Sequence, residues 1–148
     1  MLATTALIAI INGIVGFLKT DKARLPVSDI WFVEEVTGNQ LTIHGRGNQI
    51  LKVELCGVEV PAGGEQKAQI ELQRLIDESA SQVAITFLSR TPQGVPIVEV
   101  WVHPEMQEEE SLNGLLLLKR VAIINHQTIG FCLNRDVFER EALNVIIH

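Results

Sequence analysis

Cysteine is scarce in this chain: 148 residues contain two, Cys56 and Cys132. Two cysteines are too few for the disulfide framework that holds small secreted domains together. Both have apolar neighbours, which favours small buried thiols and is consistent with a reducing compartment. The four histidines show no metal-ligand spacing with each other or with the cysteines. The cysteines and histidines therefore predict no metal centre.

Basic residues are also few, with 12 lysines and arginines against 18 aspartates and glutamates, and the formal net charge is -6. Phosphate binding depends on clustered basic side chains, so this balance argues against a broad electrostatic grip on nucleic acid, although a local basic groove stays open. The sequence has no phosphate-binding glycine loop, no nucleophile-with-base motif and no internal repeat. Its 47% hydrophobic and 20% charged residues are typical of one globular domain with a short appendage.

The appendage is the N-terminal segment Leu2 to Leu18, which contains no charged residue. As a helix it would be about 26 Å long, at the short end of what spans a bilayer core of roughly 30 Å. A membrane anchor is the leading interpretation. Asn12 and Gly13 weaken a lipid-facing helix, so a helix buried against a partner protein stays open. A secretory signal also stays open, although the sequence lacks the basic residue before the apolar run and the cleavage site after it that such signals have.

The charges that flank this segment predict its orientation. Lys19, Lys22 and Arg24 follow the apolar run, and no basic residue precedes it. By the positive-inside tendency, we expect a single-pass membrane protein with its folded domain on the cytoplasmic side. The sequence therefore divides into an anchor helix with a short charged linker, residues 1–26, and a folded domain, residues 27–148.

The folded domain begins with three short strands joined by glycine turns, and a helix and two further strands follow. The predicted strands are Val27–Val36, Leu41–His44, Ile50–Cys56, Val83–Leu88 and Ile97–Val102. Apolar residues at i, i+4, i+7 and i+8 predict the helix from Glu65 to about Ser79. This element order resembles that of an OB-fold barrel.

Two more helices are predicted towards the C-terminus. Ser111 is a plausible N-cap for a helix from Leu112 to about Val121. Asp136 followed by Glu139 has the spacing of a capping arrangement for a last helix, from Val137 to about Asn144. The predicted fold class is therefore α+β, a five-stranded OB-fold β-barrel with about three helices, preceded by one N-terminal apolar helix.

The segment from Leu51 to Gly64, LKVELCGVEVPAGG, carries the most informative motif. A strand ends there in a bend at Gly57 and Pro61, and an earlier turn reads Thr37-Gly38-Asn39-Gln40. These features resemble the staphylococcal-nuclease-like (thermonuclease) domain family, whose patterns are V-R-L-x-G-[IV]-D-[AT]-P-E and D-G-D-[TS]. The resemblance implies the OB-fold barrel of that family.

A second motif lies near the C-terminus and extends the resemblance over residues 27–144. The string Leu112-Asn113, Leu116-Leu117 and Val121-Ala122 is similar to the family pattern V-N-x-x-L-[LV]-x-x-G-[LY]-A. Arg120 stands where that pattern has its glycine. The motifs occur in the family's order, which makes their combination more informative than any one of them.

The resemblance implies calcium-dependent phosphodiester hydrolysis, but the residues at the catalytic positions do not match. The family needs carboxylates for calcium, two arginines for the phosphate and a carboxylate that activates water. The two calcium positions hold Asn39 and Glu59, and the strand arginine is replaced by Glu54, which would repel phosphate. Ala62 replaces the general base and Val95 the second arginine, so neither position can transfer a proton or bind an anion. We therefore predict no catalytic residue, no firm metal ligand and no cofactor.

These features together predict a membrane-anchored, non-catalytic nuclease-like module. It would attach to the membrane through Leu2–Leu18 and act with protein partners as an interaction or assembly subunit of a membrane complex. Two alternatives stay open. One is a calcium-dependent, membrane-tethered nuclease that uses substitute residues such as Arg46, Arg90 and Glu65, which would have to reach within about 0.5 Å of productive positions. The other is non-catalytic nucleic-acid binding through the barrel groove.

Overall fold

The computed structural model describes residues 30–104 and 109–147, and for residues 144–147 it describes the backbone alone. The strands are β1 (Ile30–Thr37), β2 (Gln40–His44), β3 (Ile50–Leu55), β4 (Val58–Glu59), β5 (Gln82–Arg90), β6 (Pro96–Val102), β7 (Glu110–Ser111) and β8 (Ile123–Ile124). The helices are α1 (Glu65–Glu78), α2 (Leu112–Leu118) and α3 (Arg135–Ile147).

Five of these strands form a closed barrel in the order β3-β2-β1-β5-β6. Neighbouring strands are antiparallel except at the closure, where β3 and β6 pair in parallel through Glu54 with Ile97 and Leu55 with Val98. A closed five-stranded barrel with three helices is an α+β fold compatible with an OB-fold, so the prediction is confirmed at that level. The short strand β7 extends the sheet beyond β6, and β4 pairs with β8 outside the barrel.

The barrel core follows from the alternation of apolar residues along each strand. Leu41, Ile43, Val53 and Leu55 are completely buried on the inner side of β2 and β3. Trp31 fills the barrel near the turn that follows β2, and a Cβ atom at Gly45 would lie only 2.8 Å from the indole ring. The glycine there is therefore required by the close approach of the indole ring to the backbone.

The helices cover the barrel with the faces that the sequence predicts. The apolar stripe of α1 is buried, and the Ser111 hydroxyl accepts a hydrogen bond from the Gly114 backbone N–H at 3.2 Å, which confirms it as the N-cap of α2. Helix α3 places Phe138, which is completely buried, against α2. It begins at Arg135, two residues earlier than predicted, so Asp136 lies in its first turn.

Asn113 joins α2 to the barrel by three buried hydrogen bonds. Its side-chain oxygen accepts from the Val100 backbone N–H at 2.9 Å. Its amide nitrogen donates to the backbone carbonyls of Cys56 at 2.9 Å and Val98 at 3.2 Å. Buried backbone groups need such partners, so this asparagine substitutes for a missing strand neighbour at the barrel closure.

The prediction of free thiols is wrong, because Cys56 and Cys132 form a disulfide bond. Both residues are buried, as predicted, and their Cα atoms lie 5.8 Å apart. The apolar neighbours of each cysteine indicate burial but say nothing about a partner 76 residues away. The fold creates the pair by packing the segment before α3 on the corner after β3. The cysteine content therefore no longer supports a reducing compartment.

The predicted anchor Leu2–Leu18 and the linker up to Pro26 lie outside the described residues. Within residues 30–104 and 109–147, no helix combines the length and the apolar character that crossing a membrane requires.

Candidate functional site

A cleft of about 570 Å³ lies beside the barrel closure, where β3, the β5–β6 turn and the segment 125–131 meet. The parallel pairing of β3 with β6 places Glu54 next to Ile97 at its floor. Its lining residues are Glu54, Arg90, Thr91, Pro92, Gln93, Ile97, Asn125, Gln127, Thr128 and Phe131.

Two of the positions singled out in the sequence meet at this cleft. The Asn39 amide nitrogen donates hydrogen bonds to the Glu54 carboxylate at 3.1 Å and to the Val58 carbonyl at 2.9 Å. The hairpin register brings them together, because Glu54 pairs directly with Gln40, the residue after Asn39. The Glu54 carboxylate is thus held by the Asn39 amide.

The other three positions, Glu59, Ala62 and Val95, are not among the residues that line the cleft. Glu59 is exposed on β4, where it pairs with Ile123, and Ala62 is exposed in the loop before α1. Val95 closes the β5–β6 turn: its N–H donates to the Thr91 hydroxyl at 3.1 Å, and its carbonyl accepts from the Thr91 N–H at 2.8 Å. The backbone of Val95 therefore has a structural role at this turn.

Asn39 and Glu59, the positions at which the resemblance would imply calcium ligands, do not fit a calcium site. Calcium takes six to eight oxygen ligands, several of them from carboxylates. Asn39 presents its amino group, a hydrogen-bond donor, to the one carboxylate beside it. Across the part of the chain that the structure describes, the one group of three close metal-ligating side chains is Cys56, Glu99 and Cys132, which does not include Glu54 or Glu59. No hydrolytic step through calcium follows from this arrangement.

The cleft has one guanidinium group, that of Arg90. Its Nη1 donates a hydrogen bond to the Gly94 carbonyl at 2.9 Å, so the β5–β6 turn holds the exposed side chain. On the opposite wall, the Thr128 hydroxyl accepts a hydrogen bond from the Gly57 N–H at 2.9 Å. Phe131 is 47% exposed at the rim.

The residues of this opposite wall were not predicted from the sequence. Asn125, Gln127, Thr128 and Phe131 belong to a segment between β8 and α3 that carries no motif. The polar run from Asn125 to Thr128 between apolar segments is typical of a surface loop, and loops on a rigid scaffold often carry binding residues. This polar run is therefore the sequence feature from which a binding loop could have been predicted.

The chemistry of the cleft suits binding. Amide side chains, hydroxyl groups, one guanidinium group and one phenyl ring offer hydrogen bonds and stacking. Glu54 is the one carboxylate among the lining residues, and the Asn39 amide already occupies one of its oxygens. A general base has to reach the proton that it removes, and this carboxylate is instead held against the β1–β2 turn.

Comparison with known proteins adds no assignment, because no protein-family model matches the chain and no curated protein matches its sequence.

Proposed function

We propose that this chain is a catalytically silent, thermonuclease-like barrel that is anchored in a membrane and serves as an assembly subunit of a membrane complex. The observation that carries the proposal is the hydrogen bond between Asn39 and Glu54. Phosphodiester cleavage requires cations at the scissile phosphate. A carboxylate in place of one of them repels the substrate, and its contact with Asn39 fixes it in a structural role.

The thermonuclease-like assignment is supported by three positions of the family motifs. Gly57 adopts a φ of +73°, a left-handed conformation that favours glycine. Asn113 is completely buried and makes three hydrogen bonds to the backbone. Arg120, which stands where the family has glycine, also adopts a left-handed φ of +65°. At Gly57 and Arg120 the backbone conformation is one that favours glycine, and at Asn113 the buried backbone groups need an amide side chain. These local requirements support the resemblance.

The proposed partner is a protein segment that binds in the cleft. Exposed aromatic residues beside hydrogen-bonding groups are typical of the residues that dominate protein interfaces. Phe131 provides exposed apolar surface at the cleft, and Gln93 and Gln127 provide amides. The segment Leu2–Leu18 would keep this surface close to the membrane and to partners within it.

The test uses native membranes solubilised in a mild detergent, followed by native mass measurement and identification of the co-purifying chains. We expect a complex larger than the chain alone, and we expect Phe131→Ala to release the partner. Phe87→Ala is the matched control, because Phe87 on β5 is also 47% exposed but is not among the residues that line the cleft. A chain that runs alone contradicts the proposal, and equal loss of partner in both variants contradicts the cleft as its site.

The nuclease alternative has its own assay. Calcium-dependent cleavage of single-stranded DNA that disappears in Glu59→Ala would replace the proposal by a membrane-tethered nuclease. Cleavage that stays at background removes this alternative.

The nucleic-acid alternative is favoured by the presence of Arg90 and Phe131 at one cleft, because guanidinium groups and aromatic rings together bind single strands. It predicts oligonucleotide binding that weakens with salt and is lost in Arg90→Ala. The absence of binding at low salt would eliminate it.

A further inference from the structure

The two cysteines and a glutamate form a buried cluster beside the cleft. Cys56 follows β3, Glu99 lies in β6 and Cys132 precedes α3. The two sulfur atoms and a Glu99 carboxylate oxygen all lie within 4.8 Å of one another, and all three residues are buried. Sulfur and carboxylate oxygen are ligand atoms for zinc.

The packing of the barrel does not require an acidic side chain at the position of Glu99. Its side chain is completely buried in a strand that otherwise reads Pro-Ile-Val and Val-Trp-Val. Its carboxylate accepts two hydrogen bonds from Asn134, one from the backbone N–H at 2.9 Å and one from the side-chain amide at 2.6 Å. Neither donor carries a formal charge. Burying a carboxylate is unfavourable unless a cation or strong hydrogen bonds offset the lost hydration, so a bound cation would give this glutamate a function.

A fourth ligand atom faces the two sulfurs. The Thr128 carbonyl oxygen lies 3.8 Å from the Cys56 sulfur and 3.7 Å from the Cys132 sulfur. In a tetrahedral zinc site, bonds of about 2.3 Å to sulfur and 2.0 Å to oxygen place a sulfur and an oxygen ligand about 3.5 Å apart. The carbonyl is therefore close to the position that a fourth zinc ligand would take.

We propose that, once the disulfide is reduced, Cys56, Cys132 and Glu99 bind one zinc ion, with the Thr128 carbonyl or a water molecule as the fourth ligand. This exchange leaves the buried charge unchanged. With Glu99 counted as a carboxylate, the cluster with its disulfide has a net charge of about -1, and two thiolates, the carboxylate and Zn²⁺ sum to the same charge. Two thiolates without a metal would bring the cluster to about -3, so the metal is what allows both sulfurs to be deprotonated.

Reduction of the disulfide needs a reductant that supplies two electrons and two protons. A dithiol gives two electrons and two protons to the Cys56–Cys132 bond and becomes a disulfide itself. The protein then holds two thiols, and zinc binding releases both of their protons to solvent while two zinc–sulfur bonds form. The disulfide and the zinc ion therefore exclude each other at this site.

The test uses the full chain in mild detergent, reduced with a phosphine under argon, with Co²⁺ as a coloured probe for the zinc site. We expect one cobalt per chain, with the thiolate-to-cobalt and visible absorption bands of tetrahedral coordination, and we expect Zn²⁺ to displace it. The oxidised chain has the same sequence and should bind no cobalt.

Two glutamate variants locate the oxygen ligand. Glu99→Gln keeps an oxygen that can accept the hydrogen bond from the Asn134 backbone, and it should weaken cobalt binding by about ten-fold or more. Glu35→Gln, which changes an exposed glutamate on β1, should leave binding unchanged.

Four results would overturn the proposal. They are a reduced chain without the thiolate–cobalt bands, equal binding by the oxidised chain, unchanged binding in Glu99→Gln, and a reduced chain that loses its circular dichroism and does not recover it with metal. None of them bears on the Asn39–Glu54 contact or on partner release by Phe131→Ala, so the two proposals fail separately.

Discussion

Reduction of the Cys56–Cys132 disulfide should lower the free energy of unfolding of the domain by about 4.5 kcal/mol. The two cysteines are 76 residues apart in the sequence. A cross-link that closes a loop of this length removes about 15 cal/mol/K of entropy from the unfolded chain, which corresponds to about 4.5 kcal/mol at 25 °C. Few single changes in a domain of this size have so large an effect, because total stability is about 5–15 kcal/mol.

The effect should arise mainly in the unfolded chain, since the folded contacts around the disulfide remain after reduction. The Gly57 N–H still donates to the Thr128 hydroxyl, and Ile129 stays packed in the core. The far-ultraviolet circular dichroism of the folded state should therefore stay the same. The comparison between the oxidised and reduced forms then isolates the cross-link.

The assay is urea unfolding of both forms, followed by circular dichroism, with a chelator present so that no metal stabilises the reduced form. For a slope of about 1.5–2 kcal/mol/M, the midpoint should fall by about 2–3 M on reduction. A Cys56→Ser/Cys132→Ser variant serves as the control, because its midpoint should not respond to the reductant.

Two results would refute the reasoning. A midpoint change below about 0.5 M corresponds to roughly 1 kcal/mol and would mean that the cysteines do not constrain the unfolded chain. An equal response in the double serine variant would mean that the reductant acts elsewhere.

Three further predictions follow from single residues. Asn113→Ala should lower the free energy of unfolding by about 2 kcal/mol or more in urea titration, because it leaves the buried Val100 N–H and Cys56 carbonyl without partners, while the Val98 carbonyl still accepts from the Cys56 N–H; no loss would mean that water replaces the side chain. Gly57→Ala should cost about 2 kcal/mol, since the new methyl group would lie 2.8 Å from Ile129 at a left-handed φ; unchanged stability would contradict that geometry. The hydrogen bond from Arg74 lowers the pKa of Glu71 below its usual value near 4.5. This pair therefore stabilises the fold above that pH, and its contribution is lost as the pH falls through the lowered pKa. In an NMR titration, Arg74→Ala should raise the pKa of Glu71, and an unchanged value would refute the pairing.

The regular elements could be predicted because their signals are local. The alternation in β2 and β3 and the apolar stripe of α1 lie within short windows, and each window matches the period of its element. Ser111 was predictable as an N-cap for the same reason, since the cap and the first helical turn are neighbours in sequence. Element ends were less certain: α3 begins at Arg135 because Asn134 is held in place by Glu99, a contact across the fold.

The contacts that define the cleft and the sulfur cluster could not be predicted, because they join distant parts of the chain. Cys56 and Cys132 are 76 residues apart in the sequence and meet because the segment before α3 packs on the corner after β3. The Asn39–Glu54 hydrogen bond depends on the register of a hairpin, and a one-residue shift would turn these side chains to opposite faces. A signal for Glu99 did exist, since an acidic residue in the middle of an otherwise apolar strand is unusual.

Thr128 connects the two sites, because its side chain belongs to the cleft and its backbone carbonyl belongs to the sulfur cluster. It lines the cleft and accepts the Gly57 hydrogen bond with its hydroxyl, while its carbonyl faces the sulfur atoms of Cys56 and Cys132. A ligand that binds the cleft more tightly when the cysteines are oxidised must make their reduction harder by the same factor, and the reverse holds for a ligand that favours the reduced form. The midpoint potential of this cysteine pair would then report, at a distance, whether the cleft is occupied.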